Sequence, residues 1–279
     1  MHFFVSLWNY LYYSDPKSLD EVLGEIAAHD FGVELWPAVH SFDPYRPAYH
    51  PSFPCADGFN QIYDLFHVEY RERLRDALGG MRSCWHSRAF DEDPKAYTDI
   101  DAYKTEIDAA ASLGSEAISV HYLGKELTTR KFTGDQYGFV NNVLNYATNK
   151  GVSIALETWD YKSLQRAVGE FSQLSVCLDL ACIHTNSTHN LEDFIGSTAN
   201  RISFLHLYDT KGNTGHLTPG CGEISLEDWK CLLKFMRRSD FQGPAVLEIR
   251  PPREKNWQTP IEAAVEARNF FNRVEDTIN

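Results

Sequence analysis

Six ionisable side chains each interrupt or end a short apolar run of this sequence. They are His86, His121, Glu157, Asp179, His206 and Glu248, in the segments SCWHSR, ISVHYLG, ALETWD, CLDLAC, FLHLYD and VLEIRP. A buried carboxylate is costly unless it is paired or bound to a cation. Because the set combines carboxylates and imidazoles without a thiolate, it favours a divalent ion such as Mn²⁺, Mg²⁺, Co²⁺ or Zn²⁺.

Each of these residues also has an ordinary structural interpretation. A single histidine can be a core residue with a backbone partner, and a single carboxylate can pair with an arginine. Four of the six recur at equivalent places in consecutive apolar runs, which favours one shared site: Glu157, Asp179, His206 and Glu248. For His86 and His121 both interpretations stay open.

The apolar runs that carry these residues are the predicted strands, and amphipathic stretches separate them. The eight ranges are 2–8, 32–36, 82–86, 117–123, 152–159, 175–180, 202–208 and 245–249. Several are continuous rather than alternating, as expected for a parallel sheet that is covered on its outer face. The stretches between them carry helix-start signals, such as the capping box that Ser18 and Glu21 can form.

Eight strand–helix repeats in 279 residues indicate an α/β fold, a (β/α)8 TIM barrel, as a single domain over residues 1–279. In such a barrel the functional side chains gather at the carboxyl ends of the strands, where the six ionisable residues lie. The proline- and aromatic-rich stretch 37–66 follows the second strand, and we expect it to be a long loop over that face.

Composition and charge exclude several classes of protein. Hydrophobic residues make up 43% and charged residues 23%, which is ordinary for a globular chain and unlike disordered or collagenous sequences. The net charge of −13 argues against a nucleic-acid partner, because binding there depends on neutralising phosphates. No segment approaches the roughly 18 uninterrupted apolar residues of a membrane span, so no membrane partner is expected.

The cysteines and the first residues of the sequence indicate the cellular compartment of the protein. None of the six cysteines lies in a CxxC pair, which is typical of reduced thiols in a cytoplasmic protein. The segment MHFFVSLWNYLYYSD lacks a basic region and a small-residue cleavage site, so we interpret it as a first strand rather than a signal peptide. The expected location is cytoplasmic, and a homo-oligomer is an open alternative to a monomer.

The order of these motifs resembles the xylose isomerase-like barrel superfamily, which includes sugar epimerases and isomerases, inosose dehydratases and endonuclease IV. The resemblance covers nearly all of the chain. The segments that carry it are GVELW (32–36), ALETW (155–159), CLDLACIH (177–184), FLHLYD (204–209), HLTPGCGEI (216–224) and GPAVLEI (243–249).

This resemblance implies that Glu157, Asp179, His206 and Glu248 bind one divalent metal. It also implies that Glu157 and Glu248 are the acid–base pair of an isomerase or epimerase acting on a sugar or sugar-like polyol. One glutamate would remove the proton alpha to a carbonyl, the other would return one on the opposite face, and the metal would stabilise the enediolate.

Three tryptophans near strand ends, Trp8, Trp36 and Trp159, are candidates for stacking on the apolar face of a carbohydrate substrate. Covering the barrel core is the alternative role for each of them. The possible second metal or substrate-binding residues are His86, His121, His184 and His216.

Two other activities remain on the same scaffold: a metal-dependent lyase that dehydrates a keto-sugar or inosose, and an endonuclease IV-like phosphodiesterase with several metals. A barrel that only binds a ligand is a third alternative, which intact Glu157 and Glu248 disfavour.

Two departures from the family pattern weaken the multi-metal case. Cys182 stands where the family often has a histidine, with His184 two residues later, and Thr214 stands where the endonuclease has an aspartate.

Overall fold

The computed structural model of the chain describes residues 2–12, 17–36, 38–39, 63–87, 99–121, 123, 134–250 and 258–278. The strands within these ranges are Phe3–Ser6 (β1), Gly32–Leu35 (β2), Ala38–Val39 (β3), Tyr63–Asp64 (β4), Ser83–His86 (β5), Ser115–Val120 (β6), Ser153–Glu157 (β7), Ser175–Asp179 (β8), Ile202–Leu207 (β9), Asp209–Lys211 (β10), Thr214–Leu217 (β11) and Ala245–Leu247 (β12). The α-helices are Leu19–Ala28 (α1), Val68–Leu78 (α2), Ile100–Ser112 (α3), Gly134–Asn149 (α4), Tyr161–Glu170 (α5), Leu180–Asn186 (α6), Leu191–Thr198 (α7), Leu226–Arg238 (α8) and Pro260–Glu275 (α9).

Eight parallel strands close into a barrel in the order β1-β12-β9-β8-β7-β6-β5-β2. Strand β1 completes the ring, because Val5 lies opposite Val33 of β2 on one edge and opposite Leu247 of β12 on the other. At least one helix follows each barrel strand along the chain. The predicted (β/α)8 TIM barrel in a single domain is therefore confirmed, and each predicted strand overlaps one barrel strand.

The barrel has two apolar layers, because successive side chains of a strand point to opposite faces. One face packs against the surrounding helices in a large buried cluster that includes Val5, Val33 and Leu247. The other face points into the barrel and forms a smaller buried cluster: Phe4, Cys84, Ala117, Ala155, Cys177, Phe204 and Val246. Strand β2 contributes Gly32 at this level, where a Cβ atom would lie 2.5 Å from the ring of Phe4.

Local signals explain how the helices begin. The predicted capping box is present: Ser18 accepts from the backbone N–H of Glu21, and the Glu21 side chain accepts from the backbone N–H of Ser18. In the predicted loop 37–66, β3 and β4 pair in antiparallel fashion, with Val39 opposite Tyr63. Most of the remainder of that loop lies outside the described residues. None of the helices in the described part of the chain has both the length and the hydrophobicity of a membrane span.

Candidate active site

The ionisable side chains lie one layer above the small apolar cluster inside the barrel. Five of them follow a member of that cluster by two residues on the same strand, so the two-residue period of the strand aims both side chains inward. The pairs are Cys84 and His86, Ala155 and Glu157, Cys177 and Asp179, Phe204 and His206, and Val246 and Glu248. The same parity places Glu34 two residues beyond Gly32 on β2.

His206 is at the centre of this layer and is completely buried. Its Nε2 lies 3.0 Å from Oε1 of Glu34. Its Nδ1 lies 2.9 Å from Oε2 of Glu157 and 3.8 Å from Oε2 of Glu248. Three carboxylates, from β2, from β7 and from the residue that directly follows β12, thus surround one imidazole ring.

Asp179 ends β8 and begins helix α6. Its Oδ1 accepts from the backbone N–H of Cys182 at 2.7 Å, so the carboxylate caps the helix. The Sγ atom of Cys182 lies 3.3 Å from the hydroxyl of Tyr208. The structure therefore brings a thiol beside the carboxylates, whereas the sequence suggested a set of donors without sulfur.

His86 is the last residue of β5, and His121 directly follows β6, the strand that neighbours β7. The His121 Nε2 atom is 3.6 Å from Oε2 of Glu157. The His86 ring stacks on His206, with ring centres 5.7 Å apart. Both predicted residues therefore border the cluster.

A row of stacked rings continues from His86 towards the mouth of the barrel. The ring of Trp36 stacks on His86 at 4.2 Å, and Trp8 stacks on Trp36 at 6.5 Å. His216 packs between Trp8, at 4.4 Å, and Tyr208, at 4.1 Å. Two of the three predicted tryptophans and one further predicted histidine thus line the same side of the site.

Trp159 and His184 are not part of this arrangement. Trp159 follows Glu157 by two residues but is 45% exposed, and its ring stacks on none of the described site aromatics. His184 is exposed in the last turn of α6 and belongs to none of the donor groups found among the described residues. The helical turn that begins at Asp179 carries His184 outward.

The segment 209–224 holds His216 over the end of β12. The buried carboxylate of Asp209 accepts from the backbone N–H groups of Thr210, Gly220 and Ile224 at 2.8, 2.9 and 3.1 Å. His216 has a left-handed backbone conformation, with φ of 59°, and its Nδ1 lies 3.0 Å from the carbonyl oxygen of Glu248. One buried carboxylate therefore organises the whole segment.

Opposite pKa shifts distinguish the two predicted acid–base residues. Burial opposes the ionisation of Glu157, but the charges of His121 and His206 outweigh it and lower the pKa of this carboxyl. Burial raises the pKa of Glu248 well above its usual value, and the charges of Glu34 and Glu157 add to that rise. The surroundings thus favour the ionised form of Glu157 and the protonated form of Glu248.

Burial and the charge of Glu157 raise the pKa of Asp179 to about 7. Burial lowers the pKa of His86 to about 4 and, together with the charge of Arg250, lowers that of His216 to about 3. Both imidazoles are therefore neutral at physiological pH and able to ligate a metal or accept a hydrogen bond.

The cluster fits a divalent cation. His206 Nδ1 is buried and has no aligned hydrogen-bond partner among the described residues, although a carboxylate oxygen lies 2.9 Å away. Three overlapping groups have potential donor atoms within 4.8 Å of one another: His86, Glu157 and His206; Glu34, His206 and Glu248; and Glu157, Asp179 and Cys182. Each of the four predicted ligands belongs to at least one group, and a cation would neutralise the buried carboxylates.

Glu34 is the residue that the sequence analysis missed. It is completely buried and binds the central histidine, yet GVELW was interpreted only as a strand and a family motif. The signal was present, because Glu34 interrupts an apolar run just as Glu157 and Glu248 do.

Several solved protein structures have a fold similar to that of this chain. A D-tagatose 3-epimerase-like protein has a TM-score of 0.69 at 17% identity, covering 100% of this chain and 98% of that one. An L-ribulose 3-epimerase has a TM-score of 0.66 at 13% identity, with coverage of 99% and 95%. The IOLI protein with a bound zinc atom has a TM-score of 0.67 at 17% identity, with coverage of 100% and 99%.

Similarity at these identities shows a shared fold. No curated protein is similar enough in sequence to match the chain. The sequence itself matches the family described as xylose isomerase-like TIM barrel over residues 20–273, which is most of its length. The closed barrel agrees with this match. The chain belongs to the xylose isomerase-like TIM barrel family.

Proposed function

We propose that this protein is a divalent-metal-dependent isomerase or epimerase of a sugar or sugar-like polyol. The observation that carries the proposal is that carboxylate oxygens of Glu157 and Glu248 lie 2.9 and 3.8 Å from Nδ1 of His206. The pKa values of these two carboxyls are shifted in opposite directions. Titratable groups separated in this way are suited to the roles of base and acid in one reaction. Structural relatives described as sugar epimerases support the substrate class.

In this proposal the ion is held by Glu157, Asp179, His206 and Glu248. The ion, which could be Mn²⁺, Mg²⁺, Co²⁺ or Zn²⁺, would polarise the substrate carbonyl and stabilise the enediolate charge. The zinc in the IOLI structure supports a divalent metal in this fold. The Cys182 thiol beside Asp179 adds a softer donor, which favours zinc or cobalt within that set.

The two glutamates would carry the proton. Glu157, kept ionised by His121 and His206, removes the proton alpha to the carbonyl. Glu248, whose pKa burial raises, would deliver a proton to the opposite face. The outcome is inversion at carbon when the proton returns to the same atom, and isomerisation when it returns to the neighbouring one.

The row of rings from His86 to Tyr208 supports a neutral carbohydrate ligand. Trp8 and Trp36 offer flat apolar surface to the C–H face of a sugar, and neutral His86 and His216 can hydrogen-bond hydroxyl groups. The net charge of −13 leaves a nucleic-acid partner disfavoured. We further propose a cytoplasmic location from the cysteine pattern; a homo-oligomer remains an alternative to a monomer.

Solvent-deuterium wash-in tests this function. Purified protein loaded with Mn²⁺ is incubated in D₂O with a panel of ketoses and inososes, and deuterium at the carbon alpha to the carbonyl is measured by mass spectrometry. We expect exchange with wild-type protein and none with Glu157→Gln, which should still bind substantial Mn²⁺ because an amide oxygen remains a ligand. Glu106→Gln, a buried glutamate of helix α3 outside the cluster, is the matched control and should exchange normally.

Exchange that persists in Glu157→Gln would exclude Glu157 as the base. No exchange with any ketose or inosose, despite bound metal, would instead contradict the proposed reaction.

A second candidate is a metal-dependent lyase or a two-metal phosphodiesterase. The group formed by His86, Glu157 and His206 favours it, because a second ion there would make Glu157 a bridging ligand and occupy its lone pairs. Metal analysis separates the phosphodiesterase from the epimerase. Two tightly bound ions per chain, with phosphodiesterase activity lost in His86→Ala, would replace the epimerase proposal, whereas one ion per chain is expected. Loss of water from an inosose, detected in the same incubations, would identify the lyase.

A further inference from the structure

Glu34 reaches His206 across the interior of the barrel. Strands β2 and β9 are not neighbours, since β1 and β12 lie between them in the ring. Even so, Oε1 of Glu34 is 3.0 Å from Nε2 of His206, and both side chains are completely buried. A contact of this kind is fixed by the fold as a whole rather than by local sequence.

The second oxygen of Glu34 is also held. The indole N–H of Trp36 lies 3.4 Å from Oε2, and the same N–H donates to the hydroxyl of Ser6 at 3.0 Å. Ser6 lies opposite Glu34 in the pairing of β1 with β2, and its side chain hydrogen-bonds the carboxylate.

Because a carboxylate oxygen lies 3.0 Å from Nε2, Glu34 is placed to accept a hydrogen bond from the form of His206 that carries its proton on Nε2. The Nδ1 atom, on the other side of the ring, is then the nitrogen available as a metal ligand. That atom lies beside the carboxylates of Glu157 and Glu248. A carboxylate bound to the second nitrogen of a metal-ligating histidine fixes its orientation and increases its basicity.

We infer that Glu34 is a positioning residue that holds Nε2–H of His206 and directs Nδ1 at the metal site formed with Glu157 and Glu248. The inference rests on the proposed metal-dependent function. Glu34 does not touch substrate in this scheme. Its contribution is to fix the orientation of the His206 ring before the ion binds.

Metal titration with matched variants provides the first test. We expect Glu34→Gln to weaken Mn²⁺ binding about 10-fold and Glu34→Ala about 100-fold, the range typical of such supporting residues. Glu106→Gln is the control, because its carboxylate is also buried and accepts from a tryptophan N–H and a serine hydroxyl, those of Trp85 and Ser87. Glu106→Gln should lose about as much stability as Glu34→Gln, but it should keep the wild-type Mn²⁺ dissociation constant in calorimetry.

Nitrogen NMR of the Zn²⁺-loaded protein provides the second test, and its wild-type measurement does not depend on how well a variant folds. With ¹⁵N-labelled histidine, the wild-type protein should show His206 protonated at Nε2 and ligating through Nδ1. Glu34→Gln should shift or broaden the Nε2 signal, whereas Glu106→Gln should leave it unchanged.

An unchanged Mn²⁺ dissociation constant in Glu34→Gln, or a His206 that ligates through Nε2 in the wild type, would overturn the inference. Either result would leave the proposed reaction standing if deuterium wash-in occurs. Conversely, normal metal binding with the expected NMR signals but no wash-in would refute the reaction and retain the role of Glu34.

Discussion

The helix-capping role of Asp179 and its buried position favour opposite protonation states of its carboxyl. As the N-terminal cap of helix α6 it accepts a backbone hydrogen bond, which favours the carboxylate, yet burial and the charge of Glu157 raise its pKa to about 7. A folded-state pKa above the unfolded value of 3.8 means that the fold binds more protons than the unfolded chain between these values. The contribution of Asp179 to stability is therefore lost as the pH rises from about 4 to about 7.

We expect Asp179→Asn to stabilise the metal-free protein at pH 8 by about 1–3 kcal/mol, because asparagine still caps the helix without a buried charge. The gain should become small near pH 4, and Mn²⁺ binding should fall sharply. Urea unfolding at several pH values, with chelator present, measures the first effect. Asp160→Asn, at the cap of α5, is the control and should give no pH-dependent gain. Equal stability of Asp179→Asn and wild type at pH 8 would contradict this account.

At the scale of single residues, the sequence was most informative where a charge interrupts an apolar run. That pattern located Glu157, Asp179, His206 and Glu248, and the fold brings them into overlapping donor groups. Glu34 has the same pattern, but its partner His206 is 172 residues away in the chain, so no local sequence signal indicates that the two residues are in contact. The position of His184 depends on how α6 turns after Asp179, which spacing along the chain does not reveal.

At the scale of elements, the segment 209–224 depends on close contact between Asp209 and a glycine. A Cβ atom on Gly222 would lie 2.2 Å from Oδ1 of Asp209 and 2.4 Å from the carbonyl oxygen of Thr210. We expect Gly222→Ala to destabilise the protein by about 1–3 kcal/mol, since a backbone carbonyl cannot move aside cheaply. It should also weaken substrate binding, because the segment carries His216.

The urea midpoint and the substrate dissociation constant measure these effects. Gly24→Ala is the matched control: no atom lies within 4 Å of the added methyl group on α1, and alanine favours a helix over glycine by about 1 kcal/mol. An unchanged midpoint for Gly222→Ala would show that the segment can relax around Asp209.

The barrel strands could be predicted because each is a short apolar run of the length and composition typical of a covered parallel strand. The hairpin of β10 and β11 was not predicted, since DTKGNTGHL is polar and has no strand periodicity. The hairpin depends on tertiary contacts of Asp209, which a local sequence pattern does not show. Strand β6 begins at Ser115, two residues before the predicted start at Ala117, because Ser115 pairs with Ser83 of β5.

In the molecule as a whole, neither apolar cluster of the barrel contains a proposed metal ligand, so we expect the core to form without an ion. We expect chelator-treated protein to retain its far-ultraviolet circular dichroism. Mn²⁺ at about 100 times its dissociation constant should stabilise the fold by about 2.7 kcal/mol, which raises Tm by about 5 °C. Differential scanning calorimetry checks this, with Asp179→Ala as the variant that should not respond. Loss of the folded signal on chelation would contradict a metal-independent core.

The position of β1 between β2 and β12 also affects how the protein is made. Its first neighbour begins at Gly32, but its second begins at Ala245, after most of the chain has been synthesised. During translation the apolar strand FFVS therefore keeps one edge open for a long time, and an unpaired edge can join other chains. We expect the nascent chain to depend on ribosome-associated chaperones until β12 emerges and seals that edge.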